Sequence, residues 1–155
     1  MRLSVQTDYS LRVLMHLAVT SPKLVTIRDI ADRFQISRNH LMKVVNALAR
    51  AGFVDTTRGR TGGIRLARDP AEIGIGDVVR TFESDSHLVE CFNAEKNTCL
   101  LTSACRLKGA LLAASNAFYA ELDHYRLSDF TRGNSLLASL ISDDVSPNEL
   151  VTPAV

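Results

Sequence analysis

Two short amphipathic segments separated by only Gln35, Ile36 and Ser37 constrain this chain more than any other feature. Thr26 is placed to cap the first segment, in which Ile27, Ile30, Ala31 and Phe34 share one face of a helix. Ser37 is placed to cap the second, where Leu41, Val44, Val45 and Leu48 recur at three- and four-residue intervals until Ala51-Gly52, with the glycine as a left-handed C-cap. Two helices joined by so tight a turn make a helix-turn-helix. A helix over residues 5–19 precedes them, carrying Tyr9, Leu11, Leu14, Met15, Ala18 and Val19 behind Thr7 or Asp8 as its cap, and Ser21-Pro22 ends it.

After the second helix, Phe53-Val54 and Ile64-Arg65-Leu66 read as short strands around Arg58-Gly59-Arg60-Thr61-Gly62-Gly63, a hairpin loop rich in Gly and Arg. That hairpin is a wing. Ile75, Val78, Val79 and Phe82 predict a further helix over 74–83. Residues 84–103 show no sustained period and read as a loop shaped by whatever its cysteines bind. From Ala104 the helical pattern returns, with Leu107, Leu111, Ala114, Phe118, Leu122 and Tyr125 forming a seam on a helix of roughly 30 Å or more. So long a helix needs a partner surface, most simply its own copy. The expected architecture is mainly α with a small β-hairpin wing: a winged helix-turn-helix over 1–83, a loop over 84–103, a dimerisation helix over 104–131, and a tail over 132–155. The tail holds one apolar run, Leu136 to Ile141, and is expected to fray.

The net charge of +1 conceals an asymmetry. Residues 1–70 carry 12 Lys and Arg against 5 Asp and Glu, whereas residues 71–155 carry 6 against 12. A first half at +7 suits a polyanion, because neutralisation of phosphates by Arg and Lys supplies most of the affinity for nucleic acid. In a helix-turn-helix the second helix enters the major groove, so Ser37, Arg38, Asn39, His40 and Lys43 are the expected base and phosphate contacts. Arg reads guanine and Asn reads adenine in bidentate fashion. Arg58 and Arg60 on the wing suit a narrow minor groove, and Thr26, Arg28 and Arg65 complete the expected DNA-binding set. A solvated helix face and an ordinary turn are the bland alternatives, and the wing's position after the helices favours the DNA reading.

The only cysteines are Cys91, Cys99 and Cys105, all in the one polar segment. An odd number cannot all pair, and Arg12 and His16 interrupt the only apolar run near the N-terminus, so a cytosolic protein with reduced thiols is expected. No stretch approaches the roughly eighteen apolar residues of a membrane span. Clustered thiolates select zinc, copper(I) or iron-sulfur clusters. Zinc favours four closed ligands with a close Cys pair, whereas the spacings here are Cys-x7-Cys and Cys-x5-Cys, wide enough to wrap something larger than one ion. An iron-sulfur cluster fits better, with solvent, His87, His16 or a carboxylate in the fourth position. His16, His40, His87 and His124 leave zinc sensing as a weaker reading, and a redox enzyme or electron carrier is disfavoured because no Ser-His-Asp set, phosphate-binding Gly loop or paired carboxylates stand out.

From Met1 to about Arg126 the chain resembles the iron-sulfur winged-helix repressors, and within them the nitric-oxide-sensing branch. The resemblance is carried by Thr7-Asp8-Tyr9-Ser10-Leu11-Arg12, Ser37-Arg38-Asn39-His40-Leu41-Met42-Lys43, the wing from Arg58 to Leu66, Ile75-Gly76-Asp77-Val78-Val79-Arg80 and Cys105-Arg106-Leu107-Lys108. It implies a homodimer with crossed long helices that binds double-stranded operator DNA. It also implies one cluster per subunit held by Cys91, Cys99, Cys105 and Asp8 from the partner subunit, 4Fe-4S ahead of 2Fe-2S, with nitric oxide as the signal. A sister branch that senses cluster supply carries a His three residues after its last cysteine; here that residue is Lys108. That branch is the alternative reading.

Overall fold

The computed structural model describes residues 3–59, 62–83 and 87–142. Helix α1 (Val5–Thr20) covers the expected span, but its cap is Ser4: the Ser4 hydroxyl accepts from the Thr7 amide at 3.1 Å. Thr7 and Asp8 therefore lie inside the helix, not at its cap. Helices α2 (Ile27–Phe34) and α3 (Arg38–Arg50) begin at Thr26 and Ser37 as expected. Thr26 forms a reciprocal capping box, its hydroxyl accepting from Asp29 N at 3.1 Å while the Asp29 carboxylate accepts from Thr26 N at 3.2 Å. Gln35 makes the sharp turn in left-handed conformation, φ 53° and ψ 40°. Gly52, at φ 73°, ends α3, and Phe53 N donates back to Leu48 O at 2.9 Å.

Strands β1 (Val54–Thr57) and β2 (Gly63–Leu66) form an antiparallel hairpin with Val54 opposite Leu66 and Thr57 opposite Gly63. The hairpin is tied to the helix-turn-helix by a third rung: Val25 N donates to Ile64 O at 3.0 Å and Ile64 N to Val25 O at 2.8 Å. Helix α4 (Ile75–Glu83) then packs on α1, with Val78 and Val79 fully buried. One core unites α1 (Val13, Leu14, Leu17), α2 (Ile30, Ala31), α3 (Leu41, Val44, Val45, Leu48), the hairpin (Phe53, Val54, Ile64) and α4. Burial of these side chains, at about 1.5–3 kcal/mol each, sets the stability of the DNA-facing half.

Two expectations change in the C-terminal half. Helix α5 covers Arg106–Asp123 and does not run to 131. Its end is fixed by distant backbone: Ile75 N donates to Tyr125 O at 3.0 Å and Leu127 N to Ile73 O at 2.9 Å, which draws residues 125–127 out of the helical path into a short bridge beside α4. Helix α6 (Leu127–Thr131) follows, its Leu127 fully buried. The expected frayed run is instead helix α7 (Ser135–Ile141), capped by Asn134, with Ile141 buried and its carbonyl accepting from the Arg33 guanidinium at 3.2 Å. The rest of the tail, from residue 143, and Arg60 of the wing lie outside the described residues. Every residue of α5 is at least partly exposed, including Leu107 at 64% and Leu112 at 47%. No helix among the described residues is long and apolar enough to cross a membrane.

Candidate functional site

Among the described residues, the side chains expected to contact DNA lie at the start of α2, on the exposed face of α3 and on the hairpin. Arg38, Asn39, His40 and Lys43 are all exposed, opposite the buried stripe Leu41, Val44, Val45 and Leu48. Ser37 holds the N-terminus of α3 through its hydroxyl, which accepts from His40 N at 3.2 Å. Thr26 plays the same part for α2. Arg28 and Arg38 approach one carboxylate, Asp32, at 3.7 and 3.8 Å, and all three side chains are more than half exposed. Such pairs are weak in water, so a phosphate or a base edge can displace them. On the hairpin, Arg58 is exposed and Arg65 sits across from Asp55 at 3.6 Å.

Sequence reasoning missed Arg68. Its Nε donates to Gly52 O at 3.0 Å, a second nitrogen to Ala51 O at 3.4 Å, and the guanidinium lies 4.8 Å from the Phe53 ring centre. It satisfies carbonyls at the end of α3 and so clamps the hairpin to the reading helix, a role for which a cation just past β2 is the sequence signal.

The three thiols are free and lie between α4 and α5. Cys91 sits in a 3-10 turn, Glu90–Phe92; Cys99 is exposed in the loop; Cys105 is the residue at which α5 begins. Side chains shape this segment. The Glu90 carboxylate accepts from the Thr98 amide at 2.6 Å and its hydroxyl at 2.7 Å, which holds its pKa below the ordinary glutamate value. Asn97 Oδ1 accepts from Cys99 N at 3.1 Å, and the Thr102 hydroxyl donates to Cys99 O at 2.8 Å.

Among the described residues no three His, Cys, Asp or Glu side chains stand together as a group that could hold a single metal ion. The protomer therefore does not bring Cys91, Cys99, Cys105 and Asp8 together. The donor chemistry nevertheless fits an iron-sulfur cluster: three free, partly or fully exposed cysteines on one segment, and a 4Fe-4S cluster takes each of its thiolates on a separate iron. Asp8 lies on α1 with its side chain 48% exposed, its carboxylate gripped by Arg12 one turn on at 2.9 and 3.1 Å. Among the other candidate ligands, His87 lines a cleft of about 350 Å³ with Arg80, Phe92, Ser115 and Tyr119, whereas His16 is buried edge-on to Phe34.

Two ties connect the cysteine segment to the rest of the chain, and neither is evident in the sequence. Glu83, the last residue of α4 and 6% exposed, accepts from Ser4 N at 2.7 Å and from the fully buried Thr7 hydroxyl. It joins the entrance of the cysteine segment to the first turn of α1, where Asp8 sits. At the far end of α5, Arg80 donates to both oxygens of Asp123 at 2.6 and 2.5 Å and stacks on Tyr119 at 5.1 Å. These hydrogen bonds lower the Asp123 pKa and raise that of Arg80.

Comparison with known proteins agrees with this arrangement. The family described as Rrf2, iron-dependent transcriptional regulator, matches residues 3–133. The HTH-type transcriptional regulator NsrR of Bacillus licheniformis is 50% identical over 143 residues, covering 92% of this chain and all of that protein. The protein of the same name from Bacillus subtilis is 48% identical over 142 residues, covering 91% and 97%. Among solved structures, that of T. potens IscR superposes with a TM-score of 0.66 at 24% identity, covering 84% of this chain and 85% of the other, a likeness of fold. With a helix-turn-helix, a hairpin wing and a match over nearly the whole described chain, this protein belongs to the Rrf2 family of iron-dependent transcriptional regulators.

Proposed function

We propose that this chain is a nitric-oxide-responsive repressor that binds operator DNA as a homodimer and releases it when its iron-sulfur cluster is nitrosylated. The observation that carries the reading is the placement of three free thiols between α4, tied through Glu83 to α1, and α5, beside a DNA-reading half. The ligands would be Cys91, Cys99 and Cys105 with Asp8 of the partner subunit, one cluster per subunit, 4Fe-4S ahead of 2Fe-2S. When bound, the cluster supplies iron that reacts with nitric oxide, and a carboxylate, hard and weakly held on soft iron, leaves that iron the most open.

The chain's own residues do the rest. Arg12 orients the Asp8 carboxylate, and Glu83 fixes the first turn of α1 against the end of α4. Helix α1 packs on α3, so a shift of α1 moves the reading helix. Arg28, Arg38, Asn39, His40, Lys43, Arg58, Arg60 and Arg65 are the side chains assigned to DNA, with Thr26 and Ser37 holding the helix starts. Leu100 and Leu101, at 96% and 69% exposure, together with Leu107 and Leu112 offer the apolar surface that a second copy would cover. Lys108 in place of a His sets the chain apart from cluster-supply sensors. The names of its relatives, HTH-type transcriptional regulators, support the DNA-binding part of the reading. The test is an anaerobic visible spectrum titrated with nitric oxide while operator binding is followed in parallel. Charge-transfer bands that bleach as DNA is released support the proposal. A colourless protein that still binds DNA after cluster reconstitution would refute the cluster mechanism.

A further inference from the structure

Met42 is anomalous on α3. The other large apolar residues of that helix, Leu41, Val44, Val45 and Leu48, are 3% exposed or less, whereas Met42 is 45% exposed. At helical spacing it stands one turn from Arg38 on one side and one turn from Asn46 on the other, with Asn39 and Lys43 beside it, all of them exposed. A single exposed methionine elsewhere would need no explanation. Here it is set in the middle of hydrogen-bonding side chains on the helix that enters the major groove. The thymine 5-methyl group is the apolar feature that the major groove offers, and a long, polarisable thioether can reach it without a fixed geometry.

We infer that Met42 is a specificity-determining residue that packs on the 5-methyl of one thymine in each operator half-site. The inference rests on the DNA reading proposed above and deepens it. Neighbouring Arg and Asn side chains choose bases by hydrogen bonds, and Met42 adds discrimination of thymine from cytosine and of thymine from uracil at one position. Withdrawing one methyl from such a contact removes about 0.8 kcal/mol, which corresponds to about fourfold in affinity, or about fifteenfold when both half-sites are changed.

The operator is first selected from random duplexes by the full-length protein, purified anaerobically. Each thymine is then replaced by deoxyuridine, singly and in symmetric pairs, and binding is followed by fluorescence anisotropy at one salt concentration. The expected result is one thymine per half-site at which wild type weakens about fourfold, and at which Met42→Ala no longer distinguishes dT from dU while Met42→Leu still does. Because Met42 is half exposed, Met42→Ala is expected to melt with the wild type, and circular dichroism checks this. Full dT-over-dU discrimination retained by Met42→Ala at every position, or none in the wild type, overturns the assignment while leaving the DNA-binding reading intact. Failure to select any sequence overturns both.

Discussion

Replacing Glu83 with Ala tests whether α1 and α4 behave as one piece. The carboxylate is 6% exposed and accepts from Ser4 N and from the hydroxyl of Thr7, which is itself fully buried. Hydrogen bonds to a charged acceptor contribute about 1.5–3 kcal/mol each, and removing the acceptor leaves the buried Thr7 hydroxyl with the Ser4 hydroxyl, at 2.8 Å, as its partner. Against that, the variant no longer buries a charge, a cost of several kcal/mol in the native protein. With the half-buried Ser4 amide able to recover a water, the net loss comes to about 3 kcal/mol. In a chain of this size that lowers Tm by about 6–12 °C. Glu83→Gln keeps an acceptor of the same shape and is expected to lose about half as much. The assay is urea and thermal unfolding by circular dichroism at one protein concentration, because the stability of the proposed homodimer would depend on concentration. If Glu83→Ala unfolds within about 0.5 kcal/mol of wild type, the tie between α1 and α4 is not holding the helices together and the reasoning fails.

Three further outcomes are expected. Gly63→Ala places a Cβ 2.9 Å from Val25 O and 3.2 Å from Leu24 Cβ, so the hairpin must shift; operator affinity should drop about tenfold, and an unchanged Kd would show that the wing does not contact DNA. Asp8→Ala removes a partly exposed side chain and should leave Tm within about 2 °C while it abolishes coupling between nitric oxide and operator release; an unaltered nitric-oxide response would sink the assigned ligand role. The Asp123 carboxyl lies below its ordinary pKa because Arg80 donates to it, so its contribution is present above the unfolded-state value, about 3.9, and is lost as pH falls through the lower folded value. The difference in urea midpoint between wild type and Asp123→Asn should therefore be largest near neutral pH and shrink towards pH 3, and a difference that grows on acidification would contradict the pairing.

The helix-turn-helix was legible because its signals are local: Thr26 and Ser37 cap their own helices, and the apolar periods of α2 and α3 match what is buried. The cap of α1 was misread for a non-local reason, since Thr7 looks like a cap but is held inside the protein by Glu83, 76 residues away. The end of α5 was misread likewise: Tyr125 continues the seam in register, but its carbonyl is claimed by the amide of Ile75, the first residue of α4. Asn134 is the local signal for α7 that a reading of the tail by polarity passes over. At the cysteines, composition and spacing singled out three thiols, which the structure leaves free, and among the described residues no three His, Cys, Asp or Glu side chains stand together. Arg68 and Glu83 were passed over because a hydrogen-bonding side chain carries no period, and the one signal available was the position of the Arg68 cation just past β2.

The backbone rung between Val25 and Ile64 and the Arg68 hydrogen bonds at the end of α3 tie the wing to the helix-turn-helix at two points. On the proposed function, a reading head held in this way keeps its base preferences when the signal arrives, and the signal would act on the distance and twist between the two heads of the homodimer. Operators that share half-site sequences but differ by one base pair in spacing should then be sorted by the state of the sensor, so that one protein can address two sets of promoters with the same vocabulary of bases and different punctuation.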